Sequence, residues 1–117
     1  MVRQFIPDAG DVVWLEFSPQ AGHEQAGHRP ALVLSSAAYN SKTGMMVCCP
    51  MTTLIKGYPF EVIIHAAGVS SAVLSDQIKS LDWRARKATP KGRASAGELD
   101  EVRAKIAALL GMQGISG

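Results

Sequence analysis

Between Asp11 and Leu81 the apolar residues arrive in short runs of four to six, each closed by Gly, Pro or a cluster of Ser and Asn. Runs of that length, rich in Val, Ile and Leu, read as strands, because a helix needs a longer periodic stretch to present one face. Residues 12–17 alternate, with Val13 and Leu15 predicted on the buried face, and residues 31–35, 45–50 and 60–64 continue the pattern. Further extended pieces are predicted at 72–75 and 77–81, a turn or short helix at 36–44, and loops at 18–29 and 51–59. Pro50 lacks an amide donor, so the third strand must end, bulge or lie at an edge there. The period changes only near the C-terminus. Ser95 and Glu98 have capping-box spacing, and Leu99, Val102, Ile106 and Leu109 then recur at steps of three and four, which predicts a helix ending near Gly111. Many short strands joined by turns, followed by one helix, describe a mainly β fold, a small barrel or sandwich with a C-terminal helix.

Composition narrows the class. At 117 residues, 47% hydrophobic and 19% charged, the chain is sized for one domain, taken as residues 1–111 with a flexible tail at 112–117. No apolar run approaches the roughly 18 residues of a membrane span, and the N-terminus lacks a signal-peptide core, so a cytoplasmic protein is expected. Cys48 and Cys49 are adjacent and fall on opposite faces of a strand, which suits reduced packing residues rather than a disulfide or a metal pair. His23, His28 and His65 lie far apart without acidic neighbours at ligand spacing, so no metal site and no cofactor are expected. His65 reads as a turn residue. The net charge of +2 is mild, but Arg84, Arg86, Lys87, Lys91 and Arg93 fall in one stretch without an acid. Trp83 beside Arg84 reads as partly exposed, and Trp14 as core or dimer interface.

The loop before the second strand concentrates chemistry. Glu24, His28 and Arg29 place a carboxylate, an imidazole and a guanidinium within six residues, and Pro30 biases Arg29 towards an extended conformation at the strand mouth. Such a set can bind an anion and move a proton at a phosphodiester. A surface ion pair between Arg29 and Glu24 or Glu16 is the plainer reading of the same residues.

Several fragments in fixed order resemble the MazF-type endoribonuclease toxins of bacterial toxin–antitoxin systems. They are Pro7-Asp8-Ala9-Gly10-Asp11 with Trp14, Glu24-Gln25-Ala26-Gly27-His28-Arg29-Pro30-Ala31, Tyr39-Asn40-Ser41-Lys42-Thr43-Gly44, Thr52-Thr53, Lys56-Gly57-Tyr58-Pro59-Phe60-Glu61-Val62, Asp76-Gln77-Ile78-Lys79-Ser80 and Trp83-Arg84-Ala85-Arg86. The resemblance runs to Gly111 and departs at residues 64–73. It implies an SH3-like small β-barrel of the toxin fold, a homodimer, a cognate antitoxin, contact with operator DNA only through the antitoxin complex, and no membrane. It also implies metal-independent cleavage of single-stranded RNA at short sequences, leaving 2′,3′-cyclic phosphate and 5′-hydroxyl ends. Arg29 and Thr52 carry over as catalytic positions and Glu24 as a residue required for activity. An apolar inventory that includes Trp14, Met45, Met46 and the helix exceeds what one small barrel must hide, which independently favours a symmetric dimer.

Attack by the RNA's own 2′-hydroxyl needs removal of the 2′ proton, protonation of the leaving 5′ oxygen and stabilisation of charge on phosphorus. Arg29 suits the last task, its fork matching two phosphoryl oxygens. Thr52 offers a hydroxyl donor to them; Glu24 suits either the base or the orientation of Arg29. His28 is a substrate contact and candidate proton shuttle. Lys56, Lys79 and Arg86 are expected on the RNA phosphates, and Asp76 and Gln77 on base edges. The alternative from a different class is a non-catalytic poison on the same barrel, aimed at a protein target such as DNA gyrase.

Overall fold

The computed structural model describes residues 4–17 and 27–112. Strand β1 (Asp11–Phe17) is followed by β2 (Gly27–Val33), helix α1 (Ala37–Thr43), β3 (Met45–Thr52), β4 (Glu61–Ala66) and β5 (Val69–Leu74). A 3-10 turn (Ser75–Gln77), β6 (Lys79–Asp82), β7 (Thr89–Arg93) and helix α2 (Ala96–Leu109) complete the described residues. Across the sheet the order is β4-β5-β3-β2-β1-β7, with β6 also on β3, and every pairing is antiparallel. The sheet curls until its two edge strands approach, Gly92 of β7 lying so near Ala67 that an added Cβ would sit 3.2 Å from the Ala67 amide nitrogen. The result is a mainly β half-barrel with a C-terminal helix.

β3 is the strand on which the rest is hung. Its first part pairs β6 as far as Cys48, and its end pairs β5 from Met51, while β2 takes the opposite side over residues 48–50. Pro50 therefore falls in the gap where one partner has ended and the other has not yet begun, so the expected edge is a local one inside a continuing strand.

Both faces of β1, β2 and β3 are buried. Val12, Leu32 and Cys49 join Val62, Ile64, Val73, Val102 and Ile106 on one side; Val13, Leu15, Ala31, Val33, Met46, Cys48 and Trp83 pack on the other. Alternation thus splits neighbouring residues between two cores, and the two cysteines, one in each, are free thiols. Burial pushes Cys48 up to about 11, against the charges of Lys79 and Arg86, and Cys49 up to about 12. Neither thiol ionises near neutrality.

A buried polar hub ties α1 to the sheet. Asn40 is fully buried; its Nδ2 donates to the carbonyls of Pro7 (2.8 Å) and Ser35 (3.0 Å), and its Oδ1 accepts from the Ser35 hydroxyl at 2.6 Å. The Asn40 carbonyl accepts from the Trp83 indole N–H at 2.8 Å, and Ser35 Oγ accepts from the Val47 amide. Gly44 ends α1 in the left-handed region at φ 74°, and its amide also returns to the Asn40 carbonyl.

Several expectations are corrected. β2 begins at Gly27, not Ala31, because His28 and Arg29 pair with Glu16 and Leu15 of β1. Trp83 is 3% exposed rather than partly open, drawn in by its bond to Asn40. His65 is a strand residue of β4 whose Nδ1 lies 2.9 Å from Ser70 Oγ, across the hairpin. Val12 is as buried as Val13, so β1 has no exposed face at that point. On α2, Leu99, Val102 and Ile106 pack as predicted, while Leu109 is 42% exposed beyond the edge of the core. β7 was not legible at all, since Pro90, Lys91 and Gly92 suppress any strand signal. No helix among the described residues is long and apolar enough to cross a membrane.

Candidate active site

The burial of β2 runs from exposed to buried along its length: Gly27, His28 and Arg29 are exposed, Pro30 is half-buried, and Ala31, Leu32 and Val33 are core. The apolar end fixes the strand, and the polar end projects beyond the core. On β3 the same happens in reverse, with Met51 buried, Thr52 half-buried and Thr53 exposed. The β2–β3 ladder ends with Ala31 opposite Pro50, two residues short of Arg29 on one strand and of Thr52 on the other. Both line one open cleft of about 980 Å³. Two residues that sequence alone could link only by resemblance are therefore brought to one cleft.

The cleft is cationic. His28, Arg29, Lys79 and Lys91 line it, and among its described lining residues there is no carboxylate. The Thr52 hydroxyl accepts from the Leu54 amide at 3.0 Å, which orients it and leaves its own proton for a ligand. His28 Nε2 lies 3.7 Å from Glu16 Oε2, and its ring is 6.2 Å from that of Trp14. Lys91, which the sequence marked only as part of a basic stretch, holds its Nζ 5.1 Å from the Trp14 ring centre. Nothing in the sequence would have singled it out, because β7, which delivers it, was hidden. Cys48 also lines the cleft, but its raised thiol offers no nucleophile.

A second cleft of about 500 Å³ adjoins the first and shares Thr52, Leu74 and Gln77 with it. Lys56 and Asp76 line this one. The loop carrying Lys56 is held by Glu61, whose carboxylate accepts from the amides of Lys56, Gly57 and Tyr58 at 2.9–3.3 Å. Tyr58, another residue the sequence reading did not select, donates its hydroxyl to Asp76 Oδ2 at 3.1 Å. That bond, together with the carboxylate's charge, holds the phenol above its ordinary value. Arg86 lines neither cleft; its Nη1 lies 3.5 Å from the Glu16 carbonyl oxygen. Glu24 lies outside the described residues. Among the described residues, no three of His, Cys, Asp and Glu gather as metal ligands do.

The arrangement suits a polyanion: a guanidinium and a hydroxyl face one space lined by cations, with a second recess beside it. Comparison with known proteins agrees. A family model described as PemK-like, MazF-like toxin of type II toxin–antitoxin system matches residues 8–110. The endoribonuclease toxin MazF of Escherichia coli (strain K12) is 52% identical over 111 residues, covering 95% of this chain and 100% of that one. A crystal structure of MazE–MazF from Deinococcus radiodurans superposes with a TM-score of 0.88 at 58% identity, covering 94% of this chain and 100% of that one. A mycobacterial endoribonuclease in complex with its cognate antitoxin, at 21% identity and a TM-score of 0.70 over 94% of this chain and 98% of that one, shares the fold. Matched along nearly its whole length by both sequence and structure, the chain belongs to the PemK-like, MazF-like toxin family of type II toxin–antitoxin systems.

Proposed function

We infer that the chain is the endoribonuclease toxin of a type II toxin–antitoxin pair and cuts single-stranded mRNA without a metal. The observation that carries this reading is that Arg29 and Thr52 line one cleft with Lys79 and Lys91, whose described lining holds no carboxylate. In the reaction the 2′-oxygen attacks phosphorus, the bond from phosphorus to the 5′-oxygen breaks, and a 2′,3′-cyclic phosphate and a 5′-hydroxyl result. The proton leaving the 2′-hydroxyl goes to a base, and another must reach the 5′-oxygen. Arg29 donates to the phosphoryl oxygens where charge builds up, and Thr52 adds a neutral donor from the facing strand. Glu24 and His28 are the groups assigned to proton transfer. Lys79 and Lys56 take the flanking phosphates, Arg86 a more distant one, and Gln77 and Asp76 take base edges.

The active form is a homodimer, held inactive by a MazE-like antitoxin in the cytoplasm; operator DNA is reached only through that complex. Relatives spanning nearly the full chain are named endoribonucleases, which leaves the gyrase-poison alternative without an observation in its favour. The test is incubation of the purified protein with a long single-stranded RNA in excess EDTA, followed by mapping of the new ends. Cuts at a recurring short sequence, with cyclic-phosphate and 5′-hydroxyl termini, are expected; a folded protein that leaves several RNAs intact would remove the reading.

A further inference from the structure

Edge strand β7 carries one residue more than its partner. Val12 of β1 pairs with Gly92 and Val13 with Pro90, so one step along β1 matches two along β7, and Lys91 is the extra residue of a β-bulge. A bulge bends its strand and re-aims a side chain. Lys91 is turned into the first cleft, half-buried, with its Nζ 5.1 Å from the Trp14 ring centre and with no ion pair among the described residues. The bulge is supported from two sides. Just beyond it Arg93 pairs with Asp11 of β1 and donates to the Ala9 carbonyl at 3.3 Å. On the outer side, where β7 has no strand partner, Gly92 meets the β4–β5 turn. A Cβ on Gly92 would stand 3.2 Å from the Ala67 amide nitrogen and 3.4 Å from the Cβ atoms of Ala66 and Ala67, so this approach of backbone to backbone requires a residue without a side chain. The turn itself is tight: Ala66 pairs with Val69, and Ala67 and Gly68 both take positive φ, 55° and 76°, as a two-residue hairpin demands. Val69, directly after it, lines the same cleft as Lys91. The contact at Gly92 is thus a seam between the two edges of the half-barrel, with one cleft-lining residue beside it on each edge. It lies within 64–73, the stretch that the resemblance does not cover.

We propose that Gly92 is a positioning residue: its bare Cα lets β7 close on the β4–β5 turn, and that closure fixes the bulge that presents Lys91 to an RNA phosphate in the cleft. The proposal rests on the RNA-cleaving reading above and adds two residues to it, Lys91 as a phosphate contact and Gly92 as the residue that holds it in place. A methyl group at 92 forces the seam apart by a few tenths of an ångström, and Lys91, the next residue along the bulge, moves with it.

The test measures, across a series of salt concentrations, the binding of a single-stranded RNA that carries the mapped cleavage sequence with a 2′-deoxy sugar at the cut, so that it binds without reacting. Each phosphate neutralised on a single strand contributes about 0.7 to the slope of log Kd against log salt. Lys91→Ala is expected to lower the slope by about that amount, Gly92→Ala by at least half as much, and the double variant no further than Lys91→Ala alone. Single-turnover cutting of the all-ribose RNA at saturation should keep the wild-type rate in both single variants, because a contact made equally in the bound and the transition state changes affinity and not turnover. Ala67 and Gly68 are exposed and can yield, so Gly92→Ala keeps the fold; should it not, Gly92→Ala combined with Ala67→Gly, which removes one of the crowding Cβ atoms, takes its place with the same expectation. A wild-type slope in Lys91→Ala would mean that the lysine only packs on Trp14, and a wild-type slope in the Gly92 variant that the glycine serves the fold alone; either result overturns the proposal, as would additive losses in the double variant. A wild-type protein that cuts no RNA overturns the cleavage reading and this inference with it, whereas a cutting protein with unchanged slopes overturns this inference alone.

Discussion

The hub around Asn40 and the cleft around Arg29 are both polar, yet they spend their hydrogen bonds in opposite ways. At the hub each polar group of the Asn40 side chain is satisfied within the protein, and none is exposed. At the cleft, Thr52 keeps a free proton and Gln77 an unused amide, while Arg29, Lys79 and Lys91 gather beside His28 without a described carboxylate. A satisfied buried network stabilises one arrangement of chain; an unsatisfied exposed one is a standing capacity for something else. The difference separates what holds this fold from what acts.

That separation can be broken by mutation. Arg29→Ala should lower cleavage roughly a hundred- to a thousandfold, the usual loss when one donor to a developing oxyanion is removed, with an unchanged unfolding midpoint because Arg29 is exposed. Asn40→Ala should do the reverse. It leaves the Pro7 and Ser35 groups buried without partners, which costs about 3 kcal/mol in all, read as a lower urea midpoint, while the folded fraction cuts RNA at the wild-type rate. If Arg29→Ala destabilised the fold as much as Asn40→Ala, the division between hub and cleft would be lost.

A smaller effect sharpens the same contrast from inside the cleft. Thr52→Val keeps the shape of a β-branched side chain and removes only the hydroxyl, so cleavage should fall about tenfold, the equivalent of one neutral hydrogen bond at the transition state. Single-turnover rates at saturating RNA would measure it. A rate unaffected by Thr52→Val would leave Arg29 as the sole phosphate donor of the pair.

How much of this could be read beforehand follows the same line. The apolar run 31–35, the alternation of 60–64 and the capping box at Ser95 and Glu98 are local patterns, and the strands and helix they predicted are present. What escaped depended on partners distant in sequence. β2 starts at Gly27 because β1 offers Glu16 and Phe17 as partners, and β7 exists because β1 lends it an edge despite Pro90 and Gly92. Trp83 is buried by a carbonyl 43 residues away. In the site, Arg29 and Thr52 were legible through resemblance, and the cleft that they share was not. Tyr58 and Lys91 were missed because their roles come from Asp76 and Trp14, which no local pattern connects to them.

The smallest expected effect lies at the start of α2, where the hub's logic operates at the surface. Glu98 Oε1 accepts from the Ser95 amide at 2.8 Å and Oε2 from the His65 amide at 3.0 Å, so one carboxylate both caps the helix and fastens it to β4. Burial acts to raise its pKa, but those hydrogen bonds outweigh it and hold the carboxyl below its ordinary 4.5. A carboxyl depressed in the folded state stabilises the protein above its unfolded pKa, and that contribution disappears as pH falls through the folded one. Glu98→Ala should therefore cost about 1 kcal/mol near neutrality, and the gap between wild type and variant should narrow as pH falls below 4.5. Urea unfolding of both proteins across that range measures it. A gap that stayed constant with pH would mean the glutamate acts by packing alone. A gap as large as that of Asn40→Ala would show that exposure does not weaken the cap, and the contrast between buried hub and open surface would have to be redrawn.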